Sequence, residues 1–534
     1  MSVSYKRVAL CYSLSLFLMF LCILRVYAAA VDTEYAAAAI NERTRKIVLS
    51  RSRGTIFDCN MKPLTNADEK TYAIIFDEPQ AITTLYNHFH PDEINDIVDE
   101  IRKNGFAVKI VSRKIEADGI YCFDAPVNID KNTLAKHIIG YTDDQNHGIS
   151  GLSLAFDSLL YSDKNTSVSF TLDGRGDVLQ CERPVIDYDY ATSNSGIKIT
   201  IDKDIQQIAE QESLMIESGA VVVTEVSTGK IRAMVSRPDF DISNLAKAVE
   251  SEDNPLLNRA LSTYNIGSVF KPCVAAAGLD AEIDSVVNCV GYLDVDGLTF
   301  SCHKLSGHGT VGLSDAIKFS CNSFFYSFAQ NVGASRIISV AQKAGFESRI
   351  TLADGISAKK GSLGDKSLIE TSARAVANLS IGQGAMMLSP LVIGNLYLAI
   401  ANGGSYRAPS LVEGIIQDGR LTDNEPPTAE VRVMTKNTAA VLKTALSSVL
   451  EEGGTGVAGK PTLVSAAGKT GTAQTGIIRN GKKVTNSWFC GFFPLEEPKY
   501  AVTVLWENSA KGCGSVFAGI ADAVTELQNR NDNT

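Results

Sequence analysis

The chain has 534 residues, enough for several domains with real hydrophobic cores. Sixty acidic against fifty basic residues leave a net charge of −10, which argues against nucleic acid as a partner. The eleven cysteines include no Cys-x-x-Cys pair and the six histidines no His-x-x-x-His arrangement, so spacing points to no metal site.

The first element is an apolar run from Val8 to Leu24, preceded by Lys6 and Arg7 and followed by Arg25. Its length reaches the short end of a membrane span. The positive pair predicts a short cytoplasmic tail over residues 1–7 and a single transmembrane anchor over 8–28, with the body on the outer side. The alternative is a signal peptide cleaved after Ala28-Ala-Ala30.

A mixed, rather charged region follows over residues 31–190. It contains strand-like Ala73–Phe76 and Ala107–Val111 and a helix-like Pro91–Asn104, whose carboxylates read as a solvated face. After Ser193-Asn-Ser-Gly196 the pattern becomes orderly, and a second domain is expected over 196–530. Asp204–Glu217 reads as a helix. Gly219–Glu225 and Lys230–Ser236 read as a hairpin around a Ser-Thr-Gly turn. Cys289 and Cys302 flank a hairpin-like stretch, and the sequence leaves open whether they bridge or stay thiols. His308, between two glycines, reads as a packed imidazole in a tight turn. Ser487–Phe493 and Tyr500–Glu507 form another hairpin, and Gly514–Gln528 a closing helix. Strands at both ends of one domain predict a single antiparallel sheet with the helical middle beside it.

Three short motifs lie along this domain in order: Ser268-Val-Phe-Lys271, Ser320-Cys-Asn322 and Lys469-Thr-Gly471. Ser-x-x-Lys also occurs at Ser195, Ser227, Ser301 and Ser357, so the motif alone says little. Only Ser268 precedes a good helix former, Pro272-Cys-Val-Ala-Ala-Ala, which puts Ser268 and Lys271 on one helix face. Together the motifs supply a serine nucleophile, a lysine base, a second serine beside an amide, and a second lysine. A side chain at Gly471 is expected to crowd a substrate lying along the strand.

The order and spacing of these motifs resemble the penicillin-binding proteins and serine β-lactamases. Tyr264-Asn-Ile-Gly-Ser-Val-Phe-Lys271, Ser380-Ile-Gly-Gln-Gly384, Gly468-Lys-Thr-Gly-Thr-Ala473 and Trp488-Phe-Cys-Gly-Phe-Phe-Pro494 are similar to segments of the class B penicillin-binding proteins. Arg53-Gly-Thr-Ile-Phe-Asp58 and Gly148-Ile-Ser-Gly-Leu152 look like that family's pedestal-domain signatures. The chain departs from the family at Ile266, usually proline, at Val269, usually threonine, and at Cys59, Met61, Ser153 and Ser389.

The resemblance implies an α+β multidomain fold. Its parts are an anchor, a non-catalytic pedestal (dimerisation-like) domain, and a transpeptidase domain with a five-stranded antiparallel sheet flanked by helices plus a helical subdomain. It implies a peptidoglycan D,D-transpeptidase that needs no cofactor and is acylated by β-lactams. Ser268 would be the nucleophile, Lys271 its base and Ser320 the proton relay. Asn322 would hold Lys271 and the substrate amide, and Lys469, Thr470, Gly471 and Thr472 would bind the substrate. The backbone N–H groups of Ser268 and Thr472 would form the oxyanion hole. The implied partners are stem peptides ending in D-Ala-D-Ala, an acceptor amine, the cytoplasmic membrane and a membrane glycosyltransferase. Two other readings use the same serine or none. One is a D,D-carboxypeptidase or β-lactamase with water as acceptor, and the other is a catalytically weak penicillin-binding receptor or scaffold. No Glu-x-x-x-Asn lies between Ser320 and Lys469, so no deacylating carboxylate of the β-lactamase kind is expected.

Overall fold

The structure is a computed structural model. It describes residues 5–31, 43–130, 132–179, 181–188, 194–423, 429–479 and 481–531. The start of the tail and the composition shift near residue 190 lie outside the described residues.

Helix α1, Tyr5–Val31, is apolar between Arg7 and Arg25 apart from two serines and has no buried residue. At about 1.5 Å per residue it is about 40 Å long, more than the roughly 30 Å of a bilayer's hydrocarbon core. It is the one helix among the described residues long and apolar enough to cross a membrane. The chain is expected to stay with membranes through a high-salt wash, because salt screens charge attraction but does not extract an apolar helix. A native protein that begins near Val31 would instead show α1 to be a cleaved signal.

The rest divides into two compact units, and they interleave along the chain. The smaller one holds residues 68–126 and 163–191 as well as the N-terminal segment. In it, Asp68–Phe76 pairs with Phe106–Val111 and Ile120–Val127, and a second sheet joins Thr44–Arg53, Tyr161–Thr171 and Val185–Tyr188. The charged helix forms over Pro91–Asn104 as expected. His90 and Glu93 make a capping box at its start, and Gly105 ends it in the left-handed conformation. Its buried residues are Ile94, Ile97 and Ile101, so the carboxylates face outward.

The larger unit takes in 192–534 together with 53–67 and 127–162, which departs from a linear division near residue 190. Thr55–Phe57 pairs in parallel with Ser195–Ile199, inside a four-stranded sheet of this unit. The two pedestal-like signatures also meet here. Arg53 is 1% exposed and donates from Nη2 to the Ser153 carbonyl and the Asp157 carboxylate, both at 2.7 Å. Gly148 N donates to that same carboxylate at 2.7 Å. Arg53→Ala removes this buried guanidinium with its bonds and leaves a cavity, so it is expected to lower the melting temperature by several degrees.

The main sheet comprises β1 (Gly219–Glu225), β2 (Ile231–Arg237), β3 (Ala467–Arg479), β4 (Lys482–Phe493) and β5 (Tyr500–Trp506). Their spatial order is β2-β1-β5-β4-β3, with every pairing antiparallel. β1 reads as an unbroken apolar run because both faces are covered. Val221 and Val223 pack with Phe517 and Ile520 of the C-terminal helix Gly514–Asn531. Ala220 and Val222 face the larger core, which contains the mostly apolar, largely buried helix Pro390–Ala401. The helical middle of the domain joins that second core.

Candidate active site

Ser268 lies on a 3-10 turn, Gly267–Phe270, that runs directly into α2, Lys271–Asp280. The serine and lysine are thus spaced across a 3-10 turn, where residues i and i+3 eclipse, rather than along an α-helical face. α2 is buried along nearly its whole length, which fixes the turn from below. Tyr397 Oη donates to the Val269 carbonyl at 2.9 Å and Trp488 Nε1 to the Asn265 carbonyl at 2.8 Å. Gly267 has φ +62°, and a Cβ there would lie 2.5 Å from the Thr472 carbonyl oxygen. The Gly267–Phe270 turn and β3 therefore approach closely only because this residue has no side chain.

Lys271 is fully buried. Its Nζ donates to the Ser320 carbonyl at 2.7 Å, Ser320 Oγ at 3.1 Å and Asn322 Oδ1 at 2.7 Å. Three acceptors match the three protons of an ammonium. The Phe325 ring lies 5.3 Å from Nζ. Ser320 precedes helix Asn322–Val332 at φ +53°, a conformation that turns the chain so that both ends of Ser320-Cys-Asn322 face Lys271.

Lys469 lies on β3 and is also fully buried; its Nζ donates to the Thr470 carbonyl at 3.2 Å. Burial pulls the Lys271 ammonium down to about 7, with the Cys321 and Cys302 sulfurs opposing. Burial, then repulsion from Lys271, pulls Lys469 well below the usual lysine range. The site tolerates one positive charge far better than two.

Ser268, Ser320, Asn322, Thr470, Gly471 and Thr472 line one cleft of about 890 Å³. All eight residues singled out in the sequence converge here, six on the wall and the two lysines behind it. Gln383, from Ser380-Ile-Gly-Gln-Gly384, also lines the cleft and donates to the Thr472 carbonyl. The expected reason for Gly471 needs correction. A Cβ there would meet Val269 Cγ1 at 2.9 Å, the Ile266 carbonyl at 3.0 Å and Trp488 Cβ at 3.2 Å. It would collide with the Ile266–Val269 segment and β4 rather than with a substrate.

Sequence spacing gave no sign of one further cluster. Cys289, Cys302, His308 and Cys321 bring their sulfur and imidazole atoms within 4.8 Å of one another, immediately beside Ser320 and Asn322. All eleven cysteines are free, so Cys289 and Cys302 do not bridge. His308 packs as expected, its ring stacked on Phe319, but against sulfur as well.

Residues 219–526 match the family model described as the penicillin-binding protein transpeptidase domain, more than half of the chain. Stage V sporulation protein D of Bacillus subtilis is 26% identical over 507 residues, which cover 87% of this chain and 75% of that protein. Peptidoglycan D,D-transpeptidase MrdA of Acinetobacter baumannii is 28% identical over 60% of this chain and 52% of its own length. The fold is shared with penicillin-binding protein PBP2 of Helicobacter pylori, with a TM-score of 0.66 at 20% identity over 90% of this chain and 99% of that one. It is shared too with penicillin-binding protein 3 of Mycobacterium tuberculosis in complex with aztreonam, with a TM-score of 0.65 at 22% identity over 91% and 97%. The chain belongs to the penicillin-binding protein transpeptidase family.

Proposed function

We propose that this chain is a membrane-anchored peptidoglycan D,D-transpeptidase that works through an acyl-enzyme on Ser268. One observation carries the reading. Lys271, held by Ser320 and Asn322 and one 3-10 turn from Ser268, lies behind a cleft that Ser268 shares with Ser320, Asn322 and Thr470-Gly-Thr472.

Ser268 Oγ attacks the carbonyl carbon of the penultimate D-alanine of a stem peptide, and its proton passes to neutral Lys271. The backbone N–H groups of Ser268 and Thr472 stabilise the oxyanion. Ser320, bonded to Lys271 Nζ, relays the proton to the leaving amine. The D-Ala-D-Ala peptide bond breaks, an ester to Ser268 forms, and D-alanine departs. Asn322 orients Lys271 and the substrate amide. Lys469, Thr470 and Thr472 attract the terminal carboxylate. An amine on a second stem then attacks the ester, gives its proton back through the same groups, and frees Ser268 with a new peptide bond formed. A β-lactam enters the first half of this path and stops at the ester.

Glycan polymerisation falls to a separate membrane glycosyltransferase, a partner that the family resemblance supports. The interleaved smaller unit serves as the non-catalytic pedestal.

The test offers a D-Ala-D-Ala stem peptide with an amine acceptor and follows products by mass spectrometry. Transfer to the amine is expected to exceed hydrolysis. Hydrolysed peptide alone favours the carboxypeptidase reading, and no turnover or acylation favours a receptor. Acylation is also expected to depend on pH. The base works only when neutral, so with Lys271 pulled down to about 7 the acylation rate rises as pH increases through that value. A rate that falls over the same range contradicts the assignment.

A further inference from the structure

We propose that Cys289, Cys302, His308 and Cys321 hold a structural zinc ion that fixes the Ser320–Asn322 segment in place. The geometry brings the four groups close to the spacing such a site needs. His308 Nδ1 lies 3.6 Å from the sulfurs of both Cys289 and Cys302. Zinc bonds of about 2.3 Å to sulfur and about 2.0–2.1 Å to nitrogen, at a tetrahedral angle, set the sulfur-to-nitrogen separation at about 3.6 Å. The ligand atoms of all four residues fall within 4.8 Å of one another. Three thiolates and one imidazole are a set that zinc favours.

The surroundings are built to hold this cluster. The sulfurs of Cys289, Cys302 and Cys321 belong to buried residues. Cys289 ends a short strand, Val287–Cys289, which pairs with Gly309–Val311 just after His308. Cys302 follows strand Leu298–Ser301, and its N–H donates to the Gly291 carbonyl at 2.7 Å. Gly307 has φ +77°, and a Cβ there would lie 2.1 Å from the Cys289 carbonyl oxygen. That glycine lets the His308 loop close on Cys289. The Phe319 ring, 5.8 Å from the imidazole and tilted by 9°, sets the orientation of His308.

Four protein ligands leave no open position, so the ion stabilises structure rather than activating water. Its place gives it a role all the same. Cys321 is the middle residue of Ser320-Cys-Asn322, and both neighbours bond to Lys271 Nζ. Tying Cys321 to three residues from the adjoining loops holds those two bonds in register. Oxidation is the competing chemistry. On the extracytoplasmic side, free neighbouring thiols tend to oxidise. A disulfide needs two sulfurs about 2.05 Å apart and leaves the third thiol and the imidazole unmatched. Coordination uses all four groups.

The test uses the full chain in detergent, purified without chelator. Elemental analysis is expected to find one zinc per chain. Cys289→Ser and His308→Ala are expected to lose it, while Ser268→Ala keeps it; that variant separates the zinc inference from the catalytic one. Stripping the ion is expected to lower the melting temperature and to slow β-lactam acylation by roughly tenfold or more, the scale seen when support around a site is lost. Zinc or cadmium restores both, and magnesium restores neither. Should the variants fail to fold, cobalt exchanged into the wild-type chain reports the ligands through a thiolate-to-cobalt charge-transfer band. A metal-free chain that melts and acylates the same with or without zinc overturns the proposal. So does zinc retained by both variants, a Cys289–Cys302 disulfide in active protein, or cobalt without thiolate bands.

Discussion

Ser268→Ala is expected to abolish covalent labelling by a β-lactam while leaving the melting curve unchanged. The substitution removes one oxygen from a side chain that lines the cleft and deletes no part of the buried core. The turn that carries it is held by other groups, including the Tyr397 and Trp488 donors and the close packing at Gly267. Chemistry and stability therefore separate at this position. Labelling that persists in a folded Ser268→Ala protein would move the nucleophile elsewhere, for instance to another serine with lysine three residues on.

Lys271→Arg tests the base. Guanidinium stays protonated near neutral pH and cannot accept the Ser268 proton. Loss of a general base costs about two orders of magnitude or more, so acylation is expected to fall at least that far. Arginine must also fit a fully buried site lined by Ser320, Asn322 and Phe325, so the melting curve has to be read alongside. Lys271→Met, of similar length and without charge, is the companion variant. It removes the buried charge that burial opposes and is expected to fold while acylating as poorly as the arginine variant. Near-wild-type acylation by either variant rules Lys271 out as proton acceptor.

Much of the sheet was legible in the sequence, for a local reason. Gly219–Glu225 and the segment from Lys230 are apolar runs broken by Ser-Thr-Gly, and the last two strands are broken by prolines, so each hairpin announces itself. The helix Pro91–Asn104 matched to the residue because both its capping box and its closing glycine are local signals. That the site residues would come together was legible because each motif is short and the three share an order.

What the sequence did not show is non-local. Residues 53–67 pack with the larger unit through a parallel pairing to a strand near residue 197, more than a hundred positions away. No composition shift marks that. The cysteine cluster draws on positions 289, 302, 308 and 321, and loop closure at Gly307 brings them together rather than a repeat of short spacing. Gly471 was tied to the right strand for the wrong reason, since its neighbours are Ile266, Val269 and Trp488 of β4. The 3-10 geometry at Ser268 was likewise hidden, because a Ser-x-x-Lys spacing suits either kind of helix.

The most direct measurement of the central claim is to acylate the full chain with penicillin, digest it, and locate the added mass by tandem fragmentation. Trypsin cuts after Arg259 but poorly before Pro272, so the peptide that carries Ser268 also carries Ser262, Ser285 and Ser301, and fragment ions must separate them. The account predicts the whole adduct on Ser268. Mass on any other serine, or no adduct on a folded chain, contradicts it.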